Sequence, residues 1–156
     1  GVVLDFSHKA DNEIISAQEV QEALQKIEVT LQPGMIVLVR TDNDRFMGQR
    51  DFPDRGTGMS AQATEWLIDQ GIKVMGIDQW GWDLPLRYQV KRAKETNDNK
   101  VFWEGHLVGQ RKEYCHMEQL TNLKALPNSG FKVAVFPLKI VGASAAPARV
   151  VAIIEK

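Results

Sequence analysis

The sequence predicts an α/β layer architecture in one domain. Short apolar runs rich in β-branched residues alternate with stretches of helical period, the order expected of helices packed on a sheet. The runs Met35–Thr41 and Ile72–Asp78 are apolar almost throughout, as strands covered on both faces are. A length of 156 residues with no internal repeat, low-complexity tract or linker fits a single hydrophobic core.

"GVVLDF" at residues 1–6 reads as a strand and "SHKADNE" after it as a polar loop. Ser16 with Glu19 three residues later forms a capping box, and Val20, Ala23, Leu24 and Ile27 give the helix one apolar stripe. "LQPG" breaks it before the strand at Met35–Thr41. "DNDRFMGQRDFPDRGTG" is a long polar loop of the kind that often carries function. Ser60 caps a second helix, "AQATEWLIDQ", which stops at Gly71 ahead of the strand Ile72–Asp78. "QWGWDLPLRYQVKRAKETNDNK" opens with two tryptophans and ends polar, and no element is assigned to it. Leu120, Leu123 and Leu126 in "LTNLKAL" fit one face of a short helix. "FKVAVFPLKIVGASAAPARVVAIIEK" supplies two further strands.

The 19 Lys and Arg balance 20 Asp and Glu to a net charge of −1, which leaves no basic field for nucleic acid or a membrane surface. No run of ~18 apolar residues predicts a transmembrane helix. A single cysteine cannot form an internal disulfide, which fits a reducing compartment and a cytoplasmic protein. No dinucleotide fingerprint and no G-x-S-x-G elbow occur.

The chemistry concentrates in "FWEGHLVGQRKEYCHMEQLTNLKAL", residues 102–126. His106, His116 and Glu118 carry the atoms a hydrolytic metal site needs, and in a strand His116 and Glu118 would share a face. The alternative is that these are ordinary surface or structural groups. Cys115 beside His116 suggests a nucleophile, but consecutive strand residues point to opposite faces, so packing is the better reading of the thiol. Trp80 and Trp82 at a strand end could wall a pocket for a flat substrate or could simply pack. Arg40 could meet an oxyanion or close its strand with a salt bridge; the salt bridge is the better reading.

Taken together, "PGMIVLVRT", "GMSAQATEWLIDQGIKVMGID", "EGHLVG" with "CHMEQLTNLKALP", and "FKVAVFPLKIVGASAAPARVVAII" resemble the cyclase family of metal-dependent hydrolases, which includes kynurenine formamidases and isatin hydrolases. The likeness covers almost the whole chain but only the C-terminal three-fifths or so of a typical member. It implies a swivelling β/β/α-type domain with a mixed sheet and flanking helices, incomplete at its N-terminus, and residues 1–156 as the C-terminal part of a longer domain. It implies a divalent metal, Mn or Zn, to which this chain contributes His106 and Glu118, and it leaves His116 a supporting or structural residue. The family's H-x-x-x-H-x-D motif is not among these residues, so most metal ligands and the main catalytic histidine are expected upstream or on a separate chain. A strand that starts at once at Gly1 agrees with that expectation. The implied activity is hydrolysis of a C–N bond in a small cyclic or aryl amide by a metal-activated water, in a homo-oligomer. The alternative is a binding or structural relative that kept the scaffold without the metal chemistry.

Overall fold

The computed structural model describes residues 1–155. Strand β1 (Val2–Asp5) and the two-residue β2 (Ile14–Ile15) lead to helix α1 (Ala17–Lys26). Ser16 caps α1 as a full capping box: its hydroxyl accepts the Glu19 N–H, and the Glu19 carboxylate accepts the Ser16 N–H. Strand β3 (Ile36–Arg40) follows, then β4 (Gly58–Met59), helix α2 (Ala61–Asp69) and strand β5 (Val74–Ile77). Helices α3 (Leu86–Thr96) and α4 (Glu104–Val108), strand β6 (Cys115–Met117) and the pair β7 (Lys132–Pro137) and β8 (Ala148–Ile153) complete the chain.

The central sheet is parallel, in the order β1-β3-β5-β6, with Val37 paired to Met75 and Met75 to His116. β2 and β4 form a small parallel pair, and β7 with β8 forms an antiparallel ribbon. The α/β class read from the sequence is therefore the observed one, and the antiparallel pairing resides in the ribbon.

Alternation along the strands divides the core in two. One face, with Val2, Leu4, Val37, Val39, Met75 and Ile77, packs on Val20 and Leu24 of α1 and on Ala63 and Leu67 of α2. The other face, with Val3 and Leu38, packs on Leu120, Leu123 and Phe131 and reaches Val133 and Val150 of the ribbon. Gly76 is needed on this second face, because a Cβ there would lie 2.6 Å from Leu120 Cδ1.

Two elements differ from the sequence reading. "LTNLKAL" forms only a 3₁₀ turn at Leu123–Ala125, because Gln119 and Asn122 both take positive φ and interrupt a helix. Leu120 and Leu123 are nevertheless buried, so the spacing reported burial correctly and the element incorrectly. Helix α3 had no legible period because its buried positions are Gln89 and Ala93, while Leu86 and Val90 are exposed. Among the described residues, no helix is long and apolar enough to cross a membrane.

Candidate metal centre

In a parallel sheet the C-terminal strand ends share one edge, where sites collect. β5 runs into Asp78 and the loop 79–85, and β6 runs into Glu118. His116 and Glu118 stand two residues apart on β6 and its exit, and α4 brings His106 to the same place. Three atoms converge: His106 Nε2 lies 3.1 Å from His116 Nε2 and 3.5 Å from Glu118 Oε1, and His116 Nε2 lies 3.2 Å from Glu118 Oε1. All three side chains are partly exposed.

Each is held from behind. Asp83, almost fully buried, accepts a hydrogen bond from His106 Nδ1 and also accepts the backbone N–H of Gly105 at 2.5 Å and of His106 at 3.3 Å. One carboxylate thus caps α4 and fixes the imidazole, leaving Nε2 as the ring's free lone pair. Gly105 allows this approach, since a Cβ would sit 2.9 Å from Trp82 Cδ1 and 3.1 Å from Asp83 Oδ1. The His116 ring stacks between Trp82, at 5.6 Å, and Tyr114, at 5.5 Å. Trp82 is anchored through its indole N–H to Thr64 Oγ1 at 3.0 Å, and Tyr114 through its hydroxyl to the Gly105 carbonyl at 2.8 Å. Glu118 Oε1 also accepts the Trp82 backbone N–H at 2.9 Å.

The electrostatics follow from these contacts. The hydrogen bond that His106 donates to Asp83 holds the imidazole above its ordinary range; burial opposes that rise, and the charges of Asp83 and Glu118 add to it. Burial pushes Glu118 upward, but hydrogen bonds from His116 and Trp82, with the neighbouring imidazoles, outweigh it and hold the carboxyl below its usual range. Burial pushes the Tyr114 phenol upward, so it remains a donor.

A pair of imidazole nitrogens and an ionised carboxylate oxygen, with a carboxylate behind one imidazole, is a donor set that fits a divalent cation. The structure therefore brings His116 into the group from which the resemblance set it aside; its strand position puts it on the Glu118 side, and the stacking aims its Nε2. Cys115 is exposed on β6, one position from His116 and so on the opposite face. Trp82 is fully buried and backs His116, which is packing and not an open pocket wall; Trp80 is 36% exposed. Arg40 closes its strand on Asp5 at 2.8 Å and on Asp42 at 2.7 Å. Asp83 escaped the sequence reading, because "GWDLP" carries no spacing that ties it to His106.

Asp42, Asp44 and Asp78 form a second cluster of carboxylates. Their oxygens are engaged by protein donors: Asp78 accepts from Thr41 and Asp42, Asp42 from Arg40, and Asp44 from Asn122. A cavity of about 560 Å³ lies elsewhere, lined by Ser16, Ser60, Tyr88, Arg92 and Glu104 among others, and none of the three converging residues borders it.

Residues 1–84 match the family model described as "Putative cyclase". The chain belongs to this cyclase family. The match ends before His106, His116 and Glu118, so it does not itself bear on their roles. Solved structures extend the likeness of the cyclase fold over the rest of the chain. An isatin hydrolase bound to the product analogue thioisatinate has a TM-score of 0.84 at 22% identity, over 99% of this chain and 59% of its own. Isatin hydrolase A from Ralstonia solanacearum has a TM-score of 0.78 at 24% identity, over 99% of this chain and 59% of its own. A protein from Bacillus stearothermophilus described as a "predicted metal-dependent hydrolase" has a TM-score of 0.67 at 25% identity, over 96% of this chain and 60% of its own. No curated protein matches the chain. The chain spans about three-fifths of the length of these structural relatives.

Proposed function

We propose that this chain is the C-terminal part of a longer cyclase-family domain that hydrolyses a C–N bond in a small cyclic or aryl amide with the help of a divalent metal. The observation that carries this reading is the convergence of His106 Nε2 and Glu118 Oε1, 3.5 Å apart, with Asp83 behind the imidazole. When bound there, Mn²⁺ or Zn²⁺ supplies Lewis acidity toward the amide carbonyl and a water acidic enough to ionise near neutral pH.

The chain's own residues prepare that chemistry. Asp83 keeps the His106 proton on Nδ1 and its Nε2 lone pair directed at the site. Glu118 is kept ionised by His116 and the Trp82 N–H, so a cation meets a charged oxygen without first displacing a proton. Trp80 is a part-exposed aromatic of the loop 79–85 and is the surface on which this reading would stack a flat substrate. The group that returns a proton to the leaving nitrogen belongs to the segment that carries the family's upstream histidines.

Two further facts support a longer domain. About two-fifths of the relative's own length lies outside the match, and the β7–β8 ribbon leaves Phe136, Val151 and Ile153 exposed, which is apolar surface that additional chain would cover. The aromatic amide class rests on the isatin hydrolases among the structural relatives.

The test is hydrolysis of isatin and of an N-formyl aniline by the protein with its upstream segment. After chelation, activity is expected to vanish and to return with Mn²⁺ or Zn²⁺, and His106→Ala is expected to lower kcat/KM by ~100-fold or more. Hydrolysis indifferent to chelation, or undiminished in His106→Ala, would refute the reading. Absence of hydrolysis with metal present would favour the non-catalytic relative.

A further inference from the structure

We propose that His116 is a metal ligand in its own right, so that this chain alone completes a three-ligand site of the zinc class: His106 Nε2, His116 Nε2 and Glu118 Oε1, with one position open. The inference rests on the metal reading above but not on the hydrolytic one.

Three observations support it. The first is geometric. Bonds of ~2.0–2.1 Å in a tetrahedral arrangement place neighbouring donors ~3.3–3.4 Å apart. The observed separations of 3.1, 3.2 and 3.5 Å bracket that value on all three edges. Two imidazoles and one carboxylate are also the ligand set of hydrolytic zinc sites that keep a position for water.

The second is electrostatic. Asp83 occupies the His106 Nδ1 proton, so His106 Nε2 faces the cluster as an acceptor, and the Glu118 carboxylate does the same. His116 Nε2 lies within hydrogen-bond distance of both, and one proton there can be given to only one of them. A cation at their meeting point satisfies all three groups at once, and its double charge suits two imidazole nitrogens facing a carboxylate.

The third is the support built around His116. Its ring is stacked at 29° to both Trp82 and Tyr114, and each of these is tied down by a hydrogen bond, to Thr64 and to the Gly105 carbonyl. A ring with no task at Nε2 needs packing alone. This one is held so that Nε2 meets its two neighbours within 3.2 Å. Fixing a ligand's orientation in this way lowers the ordering cost of binding.

Two imidazoles with one carboxylate favour zinc over manganese, because affinity of such N/O sites rises from Mn²⁺ towards Zn²⁺. A site complete within this chain would also hold its cation whether or not the upstream histidines are present.

The test is titration of the full 156-residue chain with Zn²⁺, followed by heat, and with Co²⁺, followed by visible absorption. One equivalent of Zn²⁺ is expected to bind, Co²⁺ is expected to show the intense bands of a four-coordinate ion, and Mn²⁺ is expected to bind more weakly. His116→Phe retains an aromatic ring between Trp82 and Tyr114 and removes only the nitrogen; His116→Ala removes both. Each is expected to weaken Zn²⁺ by at least the ~10–100-fold that loss of a supporting group costs, with circular dichroism confirming that His116→Phe is folded. A Zn²⁺ affinity in His116→Phe within about twofold of the unsubstituted chain, or no Zn²⁺ binding by the chain at all, would overturn the inference. Either result leaves the hydrolytic reading to be judged by the metal dependence of amide hydrolysis in the longer protein.

Discussion

At the scale of single residues, Asp83 is the group that would prepare His106 for the ligand role proposed above. It holds the imidazole by Nδ1, caps α4 and raises the His106 pKa above its ordinary range. Binding a cation at Nε2 requires neutral imidazole, so the affinity is fully present above the raised pKa and falls as the pH drops through it. Asp83→Asn keeps the shape, removes the charge and should weaken Zn²⁺ by ~10–100-fold. The same change should return the metal-free His106 titration towards ~6.5, as seen in the pH dependence of its imidazole NMR signals. Of this group, His106 and Glu118 were legible in the sequence, because "EGHLVG" and "CHMEQLTNL" carry a family pattern. Asp83 and the convergence of His116 on the other two were not. Asp83 reaches His106 across 23 residues, and the aim of the His116 ring depends on Trp82 and Tyr114, which no spacing encodes.

At the scale of elements, the strand ends are organised by Asp78. Its carboxylate accepts the Thr41 N–H and hydroxyl, both at 2.7 Å, and the Asp42 N–H at 3.0 Å, joining the exits of β3 and β5. Burial pushes its pKa up to about 6 against those hydrogen bonds. The folded state therefore holds this proton at a higher pH than the unfolded chain, whose value is ~3.9. The stability that comes from protonating it is fully present below ~3.9 and lost as the pH rises through about 6. Urea midpoints of the unsubstituted chain, referred to those of Asp78→Asn at each pH, should fall between pH ~4 and ~6 and level off above; a flat difference would contradict this. Apolar periodicity revealed α1, α2 and the main strands because burial there is carried by Val, Leu and Ile. It missed α3, whose buried face is Gln89 and Ala93, and it overcalled a helix at Leu120–Leu126, where positive φ at Gln119 and Asn122 prevails.

At the scale of the whole molecule, the central sheet has both faces covered, whereas the β7–β8 ribbon has only two strands and an exposed apolar side. Two-stranded antiparallel sheets are marginal on their own. Backbone amides of β7 and β8 should therefore exchange hydrogen much faster than those of β3 and β5 in the 156-residue chain. They should become protected when the rest of the cyclase domain is supplied; unchanged exchange would argue against covering of the ribbon by that segment. The class of the fold was legible because a covered parallel sheet needs apolar strands, while the ribbon buries only part of its apolar side chains in this chain and leaves Phe136, Val151 and Ile153 exposed. Anomalous diffraction from crystals grown with Zn²⁺ shows directly where a divalent ion sits. The predicted result is one strong peak bounded by His106 Nε2, His116 Nε2 and Glu118 Oε1. A strong peak at Asp42, Asp44 and Asp78 with none at the histidines would contradict it.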